Sequence, residues 1–121
     1  MTFLWTTLRV RDLDRSLTFY QDLLGLPLQE RFGPPGHEIA MLGSPEGTKL
    51  ELLCDGASLP EVPAPGLSLG FAPENMAQML KALEQAGISV PEPMSPNPNL
   101  RFYFIRDPNG YLVQLVEQLQ N

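Results

Sequence analysis

The chain writes one pattern twice, 63 residues apart. Ser44-Pro45-Glu46-Gly47 leads through three residues to Glu51, and Asp107-Pro108-Asn109-Gly110 leads through three residues to Gln114. Each tetrapeptide reads as a turn, because proline presets φ and the closing glycine tolerates backbone conformations other residues resist. Each turn also opens an apolar segment that ends its half of the chain. A duplicated half-domain tends to build its ligand site between the copies. The repeat therefore says what the fold is made of and where chemistry should be sought.

In the first half, Phe3 to Val10 is rich in aromatic and β-branched residues and predicts a strand. A helix follows, with Asp12 or Asp14 as its cap, Leu13, Leu17, Tyr20 and Leu24 at helical spacing, and Gly25 placed to end it. Leu26 to Arg31, His37 to Leu42 and Thr48 to Cys54 read as three short strands separated by Gly33-Pro34-Pro35-Gly36 and by the first turn. The second half repeats this order. Leu67 to Ala72 reads as a strand, and Pro73 suits a first helical turn. Met76, Met79, Leu80 and Leu83 form a buried stripe, with Gly87 closing the helix. Ile88 to Val90, Leu100 to Arg106 and Tyr111 to Glu117 supply the remaining strands, the last two joined as a hairpin. Pro91 to Asn99, with four prolines, reads as a loop. Between the halves, residues 57–66 carry three prolines and read as a stiff extended connector. The expected class is α+β: two tandem βαβββ modules, 1–56 and 67–119, within a single domain spanning 1–121.

A length of 121 residues accommodates one such domain. The net charge is −6, with the acids scattered, which disfavours nucleic acid and anionic membrane and suits a neutral or cationic small-molecule ligand. No apolar run approaches a membrane span and no signal-like segment opens the sequence, so a cytoplasmic location is expected. The one cysteine, Cys54, alternates with Leu50 and Leu52 and reads as a small core residue.

Leu8-Arg9-Val10 leading to Asp12-Leu13-Asp14-Arg15-Ser16-Leu17, then Phe19-Tyr20 and Leu24-Gly25, resembles the first module of the vicinal oxygen chelate superfamily, glyoxalase I and its relatives in particular. Ile105-Arg106-Asp107-Pro108-Asn109-Gly110-Tyr111 with Leu115-Val116-Glu117 resembles the end of its second module, so the likeness covers about residues 3–117. The resemblance implies two βαβββ modules forming an open, curved eight-stranded cup (the glyoxalase/bleomycin-resistance fold), and a homodimer. In metal-using members it implies a divalent ion held by one residue of the first strand and one of the last strand of each module. Those places fall at Trp5, Glu51, Ser68 (or Leu67 if a gap intervenes) and Gln114.

Trp5 decides what this chain can do there. Indole offers an N–H donor and no lone pair for a metal. Serine is a poor neutral ligand, and a glutamine carbonyl brings no charge. One carboxylate and one amide fall short of the three good protein ligands a catalytic Zn²⁺, Ni²⁺ or Mn²⁺ site rests on, so neither a metal nor a cofactor is expected.

Alternation says what faces the ligand instead. Trp5 shares a face with Thr7 and Arg9; Glu51 with Lys49, Leu53 and Asp55; Gln114 with Leu112 and Val116. Phe104 stands where the resemblance implies a pocket aromatic. Trp5 lines this pocket or plugs it. Glu51 is a general base, in the manner of the glutamate that moves a proton in glyoxalase-like enzymes, or half of an ion pair with Arg9 or Lys49. Arg9 matches the family arginine that contacts glutathione, while Asp55 stands where those enzymes often have asparagine and would repel that ligand's carboxylates. His37 lies outside the ligand positions. The functional expectations are, in order, a metal-free binding protein similar to the bleomycin-resistance proteins that takes an apolar or cationic compound, a glyoxalase-like lyase or isomerase, and a dimeric interaction domain without a small ligand.

Overall fold

The computed structural model describes residues 1–119 of the chain. It comprises two compact units that meet in sequence at Pro63 and Ala64, inside the proline-rich connector.

In the first unit, β1 (Trp5–Arg9) buries Leu8 and exposes Trp5, Thr7 and Arg9, as alternation requires. Asp12 then caps α1 (Leu13–Leu17), its carboxylate accepting from the Arg15 amide at 3.1 Å. The helix widens into a π-helical turn over Thr18–Leu23, where the Leu24 amide reaches back to Phe19 O at 2.9 Å. The widening lets two consecutive aromatics, Phe19 and Tyr20, both be buried, packed edge to face at 4.8 Å. Gly25, at φ +81°, ends the helix in the left-handed turn its sequence position predicts. β2 (Leu28–Phe32), β3 (Glu38–Leu42) and β4 (Lys49–Cys54) complete a four-stranded sheet in the order β1-β4-β3-β2, with β1 parallel to β4 and the other pairs antiparallel. One face of that sheet buries Leu8, Ala40, Leu42, Leu50 and Leu52, and α1 buries Leu13 and Leu17. Each large side chain removed from water in this way contributes about 1.5–3 kcal/mol.

The second unit repeats the plan with β5 (Ser68–Phe71), α2 (Met76–Gln85), β6 (Met94–Asn97), β7 (Leu100–Arg106) and β8 (Leu112–Gln118), in the sheet order β5-β8-β7-β6. Asn75 caps α2, accepting from the Gln78 amide at 3.0 Å. Met76 and Leu83 are buried, and Met79 and Leu80 half-buried. The duplication extends to hydrogen-bonding register. Thr7↔Glu51 in the first sheet has Gly70↔Gln114 in the second, Met41↔Glu51 has Phe104↔Gln114, and Ile39↔Leu53 has Phe102↔Val116, every residue displaced by the same 63 positions.

Three expectations need correction. Ile88 to Val90 is not a strand, and the sixth strand lies instead at Met94–Asn97, inside the segment read as a loop. It is an edge strand matched to β7 at only two places, Met94↔Phe102 and Asn97↔Leu100, and an edge tolerates the missing amide of Pro96. Pro73 lies before the Asn75 cap, outside the first turn of α2. Several strand ends also shift by one or two residues from the expected limits. No helix among the described residues is long and apolar enough to cross a membrane.

Candidate functional site

Strand register assembles the first unit's polar face from the residues that alternation singles out. β4 runs parallel to β1, placing Thr7 directly opposite Glu51 and Arg9 opposite Leu53. The Thr7 hydroxyl donates to Glu51 Oε1 at 2.7 Å. Arg9 reaches past Leu53 to Asp55 and clasps it with both arms of the guanidinium: Nε lies 3.0 and 3.2 Å from Oδ1 and Oδ2, and Nη2 lies 3.0 Å from Oδ2. The Ala57 amide adds a third donor to Oδ1 at 3.1 Å. The Arg9 hydrogen bonds, then that amide, hold the Asp55 carboxyl below its ordinary value of 3.8.

The ion pair expected of Glu51 is therefore replaced. Arg9 spends its fork on Asp55, and the Lys49 ammonium turns back on its own turn, donating to Pro45 O and Gly47 O at 3.1 and 2.5 Å. Glu51 keeps a neutral hydroxyl as its partner. β3 and β2 extend the same face with residues that pattern reading passed over, since Met41 stands opposite Glu51, and Glu30 opposite Met41. Two carboxylates thus flank a methionine across three strands, about 10 Å apart by strand spacing. Ile39 and Phe32 form the next row beside Leu53. Alternation along β2 and β3 was the available signal for these residues; their register was not.

A hollow of about 420 Å³ opens at one end of this face, lined by Phe3, Leu4, Trp5, Glu30, Met41 and Lys49 among others. That volume lies within the range of small-molecule sites. Trp5 is 49% exposed, so within this unit the indole lines the surface and is not packed away.

The second unit brings Ser68, Gly70, Leu112, Gln114 and Phe104 onto one face, with Gln114 Nε2 donating to Ser68 Oγ at 3.1 Å. Its larger hollow, about 730 Å³, is lined by Leu80, Glu84, Ile88, Val90 and Tyr103 among others and contains none of these five. His37 is exposed in the loop before β3. Cys54 is half-buried, its thiol 3.6 Å from Arg11 O.

The donors present do not fit a divalent cation. In the first unit the indole of Trp5 has no lone pair to give a metal, leaving Glu51 as the one charged donor of its pair; in the second, Ser68 offers a neutral hydroxyl and Gln114 a neutral carbonyl oxygen. Among the described residues, no three or more His, Cys, Asp or Glu side chains are grouped as a metal site would need.

The description "Glyoxalase/Bleomycin resistance protein/Dioxygenase superfamily" belongs to the family model that matches residues 2–115. The lactoylglutathione lyase of Haemophilus influenzae is 30% identical, over 97% of this chain and 93% of its own length. Among solved structures, the trypanothione-dependent glyoxalase I of Leishmania major superposes with a TM-score of 0.79 at 24% identity, over 97% of this chain and 86% of that one. TnmS3, an antibiotic-binding protein from Streptomyces sp. CB03234, superposes with a TM-score of 0.72 at 20% identity, over 98% and 96%. At these identities the two superpositions establish a shared fold.

Proposed function

Because the chain belongs to the glyoxalase/bleomycin-resistance/dioxygenase superfamily, we propose that it serves as a metal-free binding member, taking an apolar or cationic small molecule on the Trp5 face of its first unit. The half-exposed indole carries this reading: it sits in the first strand, at the place where metal-using relatives are expected to have a ligand, and it lines a hollow of ligand size. Phe3, Leu4 and Met41 supply apolar wall, and Glu30 and Lys49 supply polar contacts. The antibiotic-binding neighbour of the same fold supports the reading, as does the poor donor set at the four metal positions.

A lyase or isomerase reading draws on a different observation, the 30% identity to a lactoylglutathione lyase over nearly the full length. On that reading Glu51, its Oε1 held by Thr7, accepts a proton from the substrate carbon and returns it to the neighbouring one, while Trp5 and Leu53 exclude water.

Trp5 is the sole tryptophan, so its fluorescence reports on the face directly. Titration with a panel of aromatic and cationic compounds is expected to give saturable changes that EDTA leaves intact, with no lactoylglutathione formed from the hemithioacetal of methylglyoxal and glutathione. Stoichiometric Ni²⁺ or Zn²⁺ by elemental analysis, together with metal-dependent lyase turnover, would reverse the order of the two readings.

A further inference from the structure

The charge class of the ligand follows from how the cations of this face are disposed, on the reading above that the face is a ligand site. A guanidinium on an open, part-apolar surface is the natural receptor for a carboxylate or phosphate, because its planar fork matches two oxygens at once. Here that receptor is filled from within. Asp55 holds the Arg9 fork in two-armed contact at 3.0–3.2 Å, and its side chain is 18% exposed. The carboxylate is also positioned independently of Arg9: it stands just past the end of β4, accepts from the Ala57 amide, and precedes Gly56 at φ +77°, which turns the chain. Lys49, at the hollow, is likewise engaged, its ammonium donating to the carbonyls of Pro45 and Gly47. Glu51 and Glu30, on either side of Met41, take part in none of the ion pairs among the described residues of this unit, so their charge is free of an internal cation.

We infer that Asp55 is a specificity-determining residue: by engaging Arg9 it closes the site to carboxylates and phosphates and leaves a face selective for organic cations with an aromatic or apolar body. The ammonium of such a ligand meets the Glu51 and Glu30 carboxylates, and its body lies against Trp5 and Met41, where the indole face adds cation–π attraction.

Three probes of similar size separate the charge classes: benzyltrimethylammonium, phenylacetate and benzyl alcohol, titrated by calorimetry and by Trp5 fluorescence. The full chain is expected to bind the cation about tenfold or more tightly than the anion, the worth of one charge-assisted contact. Asp55→Asn keeps an oxygen for the Ala57 amide and frees the fork, so phenylacetate affinity is expected to rise about tenfold or more while benzyl alcohol is unchanged. Adding Arg9→Met to that variant is expected to abolish the gain. Arg9→Met alone leaves Asp55 uncompensated and is expected to tighten the cation several-fold. Saturable cation binding with phenylacetate affinity unmoved in Asp55→Asn overturns this inference and leaves the binding site standing. Equal affinity of the unmodified chain for cation and anion overturns it too, and saturation by none of the probes overturns the binding reading along with it.

Discussion

Replacing Asp107 by alanine tests whether the leading side chain of the second turn holds it, where Ser44, leading the first, does not. Asp107 is buried, at 5% exposure, and its Oδ1 accepts from the Asn109 amide at 2.8 Å and the Tyr111 amide at 2.9 Å. Both donors are on residues no more than 5% exposed, so water is poorly placed to substitute. Taking the acceptor from two buried amides costs about 1–2 kcal/mol each, or about 2–4 kcal/mol together. That is a large share of the 5–15 kcal/mol by which domains are typically stable. The sister position supplies the control. Ser44 is exposed, and its turn is closed by Gly47 N–H to Ser44 O at 3.2 Å, so Ser44→Ala is expected to stay within about 0.5 kcal/mol. Asp107→Asn retains an acceptor and should lose less than half as much as alanine. Urea unfolding followed by far-ultraviolet circular dichroism measures all three. If Asp107→Ala and Ser44→Ala shift the midpoint equally at equal slope, the side-chain argument for this turn is wrong.

Two further outcomes follow from the same geometry. Leu52→Ala empties a position of 0% exposure in β4 and should cost about 2–5 kcal/mol, whereas Leu53→Ala, one residue on but facing the site, should cost less than half as much; urea midpoints compare the two. The Asp55 carboxyl is held below 3.8 in the folded chain, so the stability its pairing lends is present above pH about 4 and lost as pH falls through the lowered value; the melting temperature of the unmodified chain should therefore fall more steeply between pH 5 and 2 than that of Asp55→Asn, and parallel curves would contradict the pairing.

The twofold architecture was legible because its evidence is periodic. Alternation and turn chemistry place Thr7, Arg9, Glu51 and Leu53 on one face, and a constant 63-residue displacement places Gly70, Gln114 and Phe104 correspondingly. The partners within that face were not legible. Arg9 stands opposite Leu53, with Glu51 and Asp55 two residues to either side of it, and nothing in the sequence breaks the tie. The fold breaks it, because Thr7 is directly opposite Glu51 with a hydroxyl in reach, leaving Arg9 to the carboxylate beyond the strand end. Met41 and Glu30 escaped notice for a related reason: which residues of β2 and β3 sit beside Glu51 is a matter of register, and β2 carries an irregularity between Leu28 and Glu30. The sixth strand was hidden by its prolines, whose cost in an interior strand does not apply at an edge.

Where the first sheet sets Thr7 across from its acid, the second sets Gly70 across from its amide. A methyl group added at Gly70 would meet only Val116 Cγ2, at 3.9 Å, and the backbone there has no left-handed twist that would forbid a larger residue. The second half thus offers a vacant mooring beside Gln114, already framed by Ser68, where one substitution can install a methyl without displacing a neighbour. For anyone wishing to give the molecule an altered appetite, that plot of open ground is a gentler starting point than the crowded row around Trp5.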